Sequence, residues 1–235
     1  MNISRIASWA VIGSLVLLSF EAVASEDDCS VTAAQRASLV ASTARRLHNH
    51  DPEHAATMSK VASAIINGDV AELQSAIDSG LNANAILKQS KEPVSGMGTS
   101  LLSLAAAACQ PSVAKQLIAD GASVNGTEYS SPLVTAAGTG ATSVVALLIQ
   151  NGASVDKVDL MGHTALEDAV RQRHLNTVQL LLSHGGNPNH VVGGGGTILD
   201  LVSHASDPLD QTVASALRAH GAADASANTL MKDAR

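Results

Sequence analysis

The side chains in this sequence that best suit metal chemistry are its histidines. The chain has nine of them, and only His48, His50 and His54 form a local cluster. Imidazole is a common zinc ligand, but zinc needs four well-placed ligands. Pro52 lies inside the cluster and disfavours a helix that would present His50 and His54 on one face. No cysteine lies nearby, so we interpret the cluster as a solvated loop and expect no metal or other cofactor.

Nucleophiles and phosphate-binding loops give weak signals as well. The chain contains no G-x-S-x-G motif, which marks one large class of serine hydrolases. Cys109 follows a run of alanines, with no neighbouring group to activate its thiol. The glycines at 193–196 lack the lysine of a phosphate-binding loop, so we interpret them as a flexible tip. We expect a chain that is not an enzyme, although a catalytic triad is a spatial arrangement that sequence patterns do not exclude.

Residues 1–24 have the three parts of a secretory signal peptide. Arg5 gives a positive start, residues 6–20 are mostly apolar, and Ala22-Val23-Ala24 matches the small-x-small cleavage pattern. The alternative is a membrane anchor, but the apolar run is short for a span, which needs about 20 residues. We expect cleavage after Ala24 and no stable membrane insertion afterwards. Because the signal looks bacterial, the expected location is the periplasm or the cell exterior.

Two cysteines remain in the exported chain, Cys29 and Cys109. An oxidising compartment permits one disulfide between them. The alternative is that Cys109 is a small buried residue at the end of a helix. Two cysteines alone do not establish the geometry, so both interpretations stay open.

Charge and composition argue against nucleic-acid and membrane partners and against a core rich in aromatic residues. The formal net charge is −7, whereas nucleic-acid binding needs clustered lysine and arginine. No polybasic run indicates an anionic membrane surface. Aromatic residues make up 1% of the chain, and only Tyr129 lies beyond the signal peptide. The core must therefore use alanine, leucine, isoleucine and valine, which suits thin, closely packed helices.

The elements that must position any site are clearest in the stretch Met161–Asn189. Thr164 can cap a short helix, and residues 165–170 carry apolar side chains at helical spacing. Residues 178–182 mark a second short helix, which Gly185 can end because glycine tolerates the left-handed conformation. Two helices this short cannot bury their apolar faces alone, so they must stack on copies of themselves.

The same pattern recurs along the chain. Segments that open a first helix begin, at spacings of 31, 33 and 33 residues, with Ser100, Ser131, Thr164 and Thr197. Segments that close a second helix begin with Gly121, Gly152, Gly185 and Gly221. These segments resemble the T-P-L-H-x-A-A and G-A-x-x-N motifs of the ankyrin-repeat family. The histidine of the first motif is replaced by Ser103, Val134, Glu167 and Asp200. Because that histidine normally hydrogen-bonds across the turn, the resemblance implies repeats that are held less rigidly here.

The resemblance implies an all-α solenoid of about five helix-turn-helix repeats with short hairpin loops, preceded by an N-terminal helix. We place the N-terminal helical segment at 25–52, the repeat domain at 53–223 and a flexible tail at 224–235. The five repeats, numbered in this order below, are 53–85, 98–125, 129–156, 162–189 and 195–223. Residues 86–97 form a less regular loop, which is the largest departure from the period.

In this family the hairpin tips and the exposed face of the first helices form a concave binding surface. At the tips the resemblance places Glu128, Tyr129, Lys157, Asp159, Leu160, Met161, His190, Val191 and Val192. On the helix face it places Asp168, Arg171, Gln172 and His204. Tyr129 and Arg171 are the expected hot spots, because tyrosine and arginine dominate interface energetics.

The expected function is non-catalytic binding of another protein by a monomer in the bacterial envelope. By analogy with other envelope members of the family, the chain is expected to act as an immunity protein or inhibitor of a toxic effector. The alternatives are a periplasmic protein linked to oxidative stress and a metal-handling protein that uses its histidines.

Overall fold

The computed structural model describes residues 29, 31–50, 54–88, 98–193, 195–202 and 207–223. Residues 1–24, 224–235 and His204 lie outside this part of the chain. Within it, the chain forms ten α-helices and one small two-stranded sheet. The helices are α1 Ala33–His50, α2 Ala55–Asn67, α3 Val70–Asp78, α4 Leu101–Ala107, α5 Pro111–Ala119, α6 Pro132–Thr139, α7 Thr142–Gln150, α8 Ala165–Arg171, α9 Leu175–Ser183 and α10 Pro208–Ala219. The strands are β1 Ile86–Lys88 and β2 Gly98–Ser100. The predicted all-α class is confirmed.

Successive helices form antiparallel pairs, and the pairs stack. The first helices pack side by side, α4 against α6 and α6 against α8. Their contacts are made by small residues such as Ala105, Ala136 and Ala169, each of which is 0% exposed. Alanine at these positions lets the helices approach closely, which is why the core needs no aromatic rings.

The first helices begin where the sequence places hydroxyl caps. The hydroxyl oxygens of Ser100, Ser131 and Thr164 each accept the backbone N–H three residues on, at 3.1, 3.4 and 3.2 Å. The N-terminal helix α1 begins with a reciprocal cap, in which Thr32 and Gln35 exchange two hydrogen bonds. These caps satisfy amide groups that have no partner inside a helix. The predicted cap at Thr164 is confirmed.

The residue that ends each closing segment ties one repeat to the next. A side-chain oxygen of this residue accepts a backbone N–H of the following repeat at 2.7 to 2.9 Å. The four residues are Asn84, Asn125, Asp156 and Asn189. Asn84 and Asn189 also donate from their amide nitrogens to glycine carbonyls of the following repeat. One side chain at each junction therefore helps to fix the repeat register.

Of the segment 86–97, which the sequence predicts to be a less regular loop, the structure describes residues 86–88, and these form strand β1. β1 and β2 pair antiparallel, with Ile86 opposite Ser100. The side chain of Leu87, in β1, is buried in the hydrophobic core at 4% exposure. A Cβ on Gly98 would collide with the carbonyl oxygen of Leu87, so glycine permits this close pairing. The sequence signal was weak because each strand has only three residues.

The fifth repeat lacks a full first helix within the described residues. Only a 3₁₀ turn, Leu199–Leu201, follows Thr197. The Asp200 carboxylate accepts hydrogen bonds from both the amide and the hydroxyl of Thr197, at 2.7 and 2.9 Å. These bonds, together with a β-bridge between Val191 and Thr197, hold the segment as a tight turn.

The structure joins Cys29 and Cys109 in a disulfide, with Cα atoms 6.4 Å apart. Cys109 has a φ of 55°, which is the left-handed position that ends α4. The bond connects residues 80 positions apart in the sequence and fastens the segment before α1 to the second repeat. Among the described helices, none combines the length and the apolar character required to cross a membrane.

The junction bonds can be tested at Asn125, whose Oδ1 accepts the Ser154 N–H at 2.8 Å. We expect Asn125→Ala to lower the free energy of unfolding by about 1 kcal/mol, because the junction loses one hydrogen bond. Asn125→Asp keeps the acceptor, as Asp156 does naturally, and is expected to change stability by less than about 0.5 kcal/mol. Urea denaturation with an unchanged m-value measures both. Equal losses for the two variants would contradict the role of the side-chain oxygen.

Candidate functional site

The hairpin tip between the third and fourth repeats presents large apolar side chains to solvent. Leu160 is 61% exposed and Met161 is 76% exposed, and the neighbouring Val158 is 44% exposed. The tip is rigid, because Oδ1 of Asp159 accepts the N–H groups of both Met161 and His163 at 2.9 Å. Apolar side chains held out by a fixed turn are typical of a binding surface.

Behind this tip lies a buried carboxylate. Glu167 is 0% exposed, and its Oε1 accepts two hydrogen bonds from Arg171, from Nη2 at 2.6 Å and Nε at 3.1 Å. Oε2 has no hydrogen-bond partner among the described residues, and Nε2 of His190 lies 3.7 Å from it. His163 approaches Oε1 at 4.0 Å. The pair with Arg171 offsets the cost of burying the charge.

Asp168, on the same helix, has a carboxyl group whose pKa is shifted by its surroundings. Burial raises the pKa of its carboxyl above the ordinary value of 3.8, and the neighbouring carboxylates of Asp159 and Glu167 raise it further. His163, whose Nδ1 lies 3.5 Å from Oδ1 of Asp168, and Arg171 act in the opposite direction. The net direction is upward, so the ionised form of Asp168 is disfavoured in the folded chain.

Residues 102–191 match the family described as ankyrin repeats in three copies. The chain is an ankyrin-repeat protein. A putative ankyrin repeat-containing protein of Treponema pallidum is 33% identical over 129 residues, which cover 54% of this chain and 41% of that protein. A mouse B-cell lymphoma 3 protein homolog is 42% identical over 72 residues, 30% of this chain and 16% of that protein. A glycerophosphocholine phosphodiesterase of Schizosaccharomyces pombe is 36% identical over 75 residues, 31% and 7% of the two chains.

This ankyrin-repeat protein spans less than half the length of each of these relatives. The activity in a relative's name therefore does not transfer through the shared repeats. What the repeats do indicate is a protein–protein interaction module, since such repeats are generally binding modules without catalytic activity.

Several predicted contact residues of the ankyrin-repeat protein have structural partners. Lys157 donates from Nζ to the backbone carbonyls of Asn125 and Thr127, at 2.6 and 3.3 Å, and so clamps two hairpins together. Arg171 is engaged by Glu167. Val192 is 6% exposed and belongs to the core rather than to the tip, because the bridge beside it turns its side chain inward. These residues are poor candidates for direct partner contact.

The remaining predicted residues divide between two places. Glu128, Gln172 and Val191 are exposed, and His190 is half-buried with Nε2 at 3.0 Å from the Gly162 carbonyl oxygen. Tyr129 is half-buried and lines a cavity beside α1, which Asp159 of the tip also lines. The structure therefore brings Tyr129 and Asp159 to this cavity, whereas Leu160 and Met161 are exposed at the tip.

Glu167 was noted in the sequence only as a replacement for the family's histidine. A signal was present, because Glu167 follows Leu166 at a position where the first helices of other repeats bury Ser103 and Val134. Arg171 lies one helical turn after Glu167, so the sequence spacing predicts that contact. His190 lies on the next hairpin, and its approach to Glu167 is visible only in the folded structure. Within the described ranges, no three His, Cys, Asp or Glu side chains form a metal-binding group.

The pair of Glu167 and Arg171 makes a stability prediction. We expect Arg171→Ala to lower the free energy of unfolding by roughly 2 kcal/mol, less than the loss of about 3–5 kcal/mol for a fully buried pair. The smaller value follows from the guanidinium, whose side chain is 36% exposed. Adding Glu167→Gln should recover part of the loss, because the uncompensated charge is removed. Gln172→Ala, exposed and adjacent, is the control in the same thermal denaturation series.

The raised pKa of Asp168 makes a pH prediction. The folded chain holds the Asp168 proton more tightly than the unfolded chain, so this group's contribution to stability falls as pH rises from 3.8 to the folded pKa. We expect Asp168→Asn to be more stable than the wild type at neutral pH, with the difference closing as pH falls below 3.8. Unfolding midpoints measured across this range check it, with Glu128→Gln as an exposed control. A wild type more stable than the variant at neutral pH would contradict the pKa direction.

Proposed function

We propose that this ankyrin-repeat protein is an exported, non-catalytic binding protein whose partner docks on its acidic–apolar face. We define this face as Val158, Leu160, Met161, Asp168 and Val191. The observation that carries the proposal is the pair Leu160 and Met161, which are 61% and 76% exposed on a fixed turn. Exposing such side chains in water offers the free chain no stability, whereas burying them against a partner is favourable.

The charges of the face favour a basic partner. Asp159, Glu167 and Asp168 place three carboxylates behind the exposed tip. The nearby fixed cations, Lys157 and Arg171, are already engaged with backbone carbonyls and with Glu167. A lysine or arginine of the partner would relieve the disfavoured ionisation of Asp168, and complementary charge would also speed association.

The place and role that we propose rest on the sequence. The pattern of residues 1–24 supports export, and a disulfide suits an oxidising compartment. A fixed face with exposed apolar side chains suits an inhibitor that binds its target protein without catalysis. We therefore propose that the protein neutralises a basic protein effector in the bacterial envelope. The charge of the face and the expected location together support this role.

The proposal is tested by capturing envelope and secreted proteins on the exported chain and then measuring the affinity of variants for a captured protein. We expect Leu160→Ser combined with Met161→Ser to weaken binding at least about tenfold, which corresponds to 1.4 kcal/mol. Leu201→Ser is the matched control, because Leu201 is a partly exposed leucine at 36% exposure in the fifth repeat.

Salt dependence gives a second measurement on the same complex. For a basic partner, Asp168→Asn should lower the association rate and weaken its dependence on ionic strength. Unchanged affinity of the Leu160 and Met161 double variant would show that the face is wrong. A salt-independent association rate would show that the partner is not recognised by its positive charge.

A further inference from the structure

A cavity of 260 Å³ lies between α1, the β-hairpin and the first helices of the second and third repeats. One of its walls comes from α1, which is not part of any repeat. The aliphatic lining consists of Leu39, Leu47, Leu87, Leu104, Ala107 and Val134. The volume lies just below the range of about 300–1,000 Å³ for ordinary small-molecule sites, so a fitting ligand is smaller than a nucleotide.

The hydroxyl groups of Ser103 and Ser130 line the cavity, and together with Ser100 they carry one proton that is not used. Ser100, Ser103 and Ser130 are linked by two hydrogen bonds, from Ser100 Oγ to Ser103 Oγ at 3.0 Å and from Ser130 Oγ to Ser103 Oγ at 2.8 Å. Three hydroxyl groups carry three protons, and two bonds use two of them. Ser103 is 1% exposed, and within the described part of the chain no acceptor takes the third proton. A buried donor of this kind favours an oxygen atom in the cavity as its acceptor.

Two opposite charges line the same cavity. Arg46 extends from α1, and among the described residues its guanidinium donates one hydrogen bond, from Nε to the Ser42 carbonyl oxygen at 3.4 Å. Asp159 lies at the rim, and its Oδ1 holds the two backbone N–H groups of the tip. Oδ2 of Asp159 takes no hydrogen bond within the described residues. The guanidinium and this oxygen are therefore both available to a ligand.

We propose that this cavity binds a free α-amino acid with an apolar side chain. The ligand's carboxylate pairs with the Arg46 guanidinium and accepts the unused serine proton, since guanidinium matches carboxylate geometry. Its ammonium group pairs with Oδ2 of Asp159. Its side chain packs against the leucine wall formed by Leu39, Leu47 and Leu104. This site borders the acidic–apolar face at Asp159, which lines the cavity and also lies behind the exposed tip. Arg46 and the wall of α1 take no part in that face.

A zwitterion accounts for all three features of the lining together. A simple carboxylate would leave Asp159 beside a negative ligand, and a simple amine would leave Arg46 beside a positive one. Each arrangement places like charges together, which is unfavourable at short range. A strongly polar side chain would lose its hydration against the aliphatic wall without gaining hydrogen bonds.

Tyr129 supplies a direct probe of occupancy. It lines the cavity and is the single aromatic residue after position 24, because Trp9 and Phe20 lie before it. The protein purified after export is titrated with L-leucine, and Tyr129 fluorescence and calorimetry are recorded together. We expect saturable one-to-one binding, with N-acetyl-leucine, leucinamide, glutamate and lysine each at least about tenfold weaker.

Variants of Arg46 and Asp159 test whether these two charged side chains bind the ligand. Arg46→Gln and Asp159→Asn should each weaken leucine binding at least about tenfold, and Asn at 159 keeps the oxygen that holds the tip. Arg45→Gln is the matched control, because Arg45 is the exposed neighbour on α1 outside the cavity lining. Unchanged unfolding midpoints show that the variants are folded.

Three outcomes would overturn the proposal. The first is no saturable binding of any apolar amino acid. The second is equal binding of N-acetyl-leucine or leucinamide, which would show that the site does not recognise both charges. The third is binding of a peptide that ends in leucine without binding of free leucine, which would assign the cavity to the end of a protein chain. Partner binding through the acidic–apolar face would be unaffected by any of them.

Discussion

A single side-chain oxygen at each repeat junction accepts a backbone N–H from the next repeat. These oxygens belong to Asn84, Asn125, Asp156 and Asn189, at distances of 2.7 to 2.9 Å. Each helix pair is too short to be stable alone, so the chain depends on stacking. The junction bonds fix the register in which the small core residues of neighbouring helices meet. The hairpin tips and the helix face then take their positions from that register.

The repeats retain polar links where the family's histidine is absent. Ser103 accepts a hydrogen bond from Ser130 at the following tip, and Glu167 is held by Arg171 with His190 of the next tip beside it. The contacts therefore connect neighbouring repeats at positions where the sequence suggested looser packing. The arrangement at Glu167 has a cost, because one oxygen of a fully buried carboxylate has no hydrogen-bond partner among the described residues.

Stability and the proposed binding surface depend on different residues. The junction bonds and the alanine core hold the stack, while Leu160, Met161 and Asp168 contribute exposed apolar area and a disfavoured charge. Groups that reduce the stability of the free chain are expected where a partner will cover them. The cavity beside α1 follows the same logic, because one hydroxyl proton and one carboxylate oxygen of Asp159 take no hydrogen bond within the described residues, and the Arg46 guanidinium uses only its Nε there.

The sequence by itself determined the features that depend on local spacing. It determined the repeat period, the cap at Thr164 and the small-residue core, because each depends on residue types and their spacing along the chain. Only the tertiary structure decided the features that join distant residues. Lys157 bonds to carbonyls about thirty residues earlier, Cys29 meets Cys109 across 80 positions, and α1 closes a cavity whose other walls come from two repeats. A side chain's partners across such distances are set by the stacking of the repeats, and no local pattern encodes them.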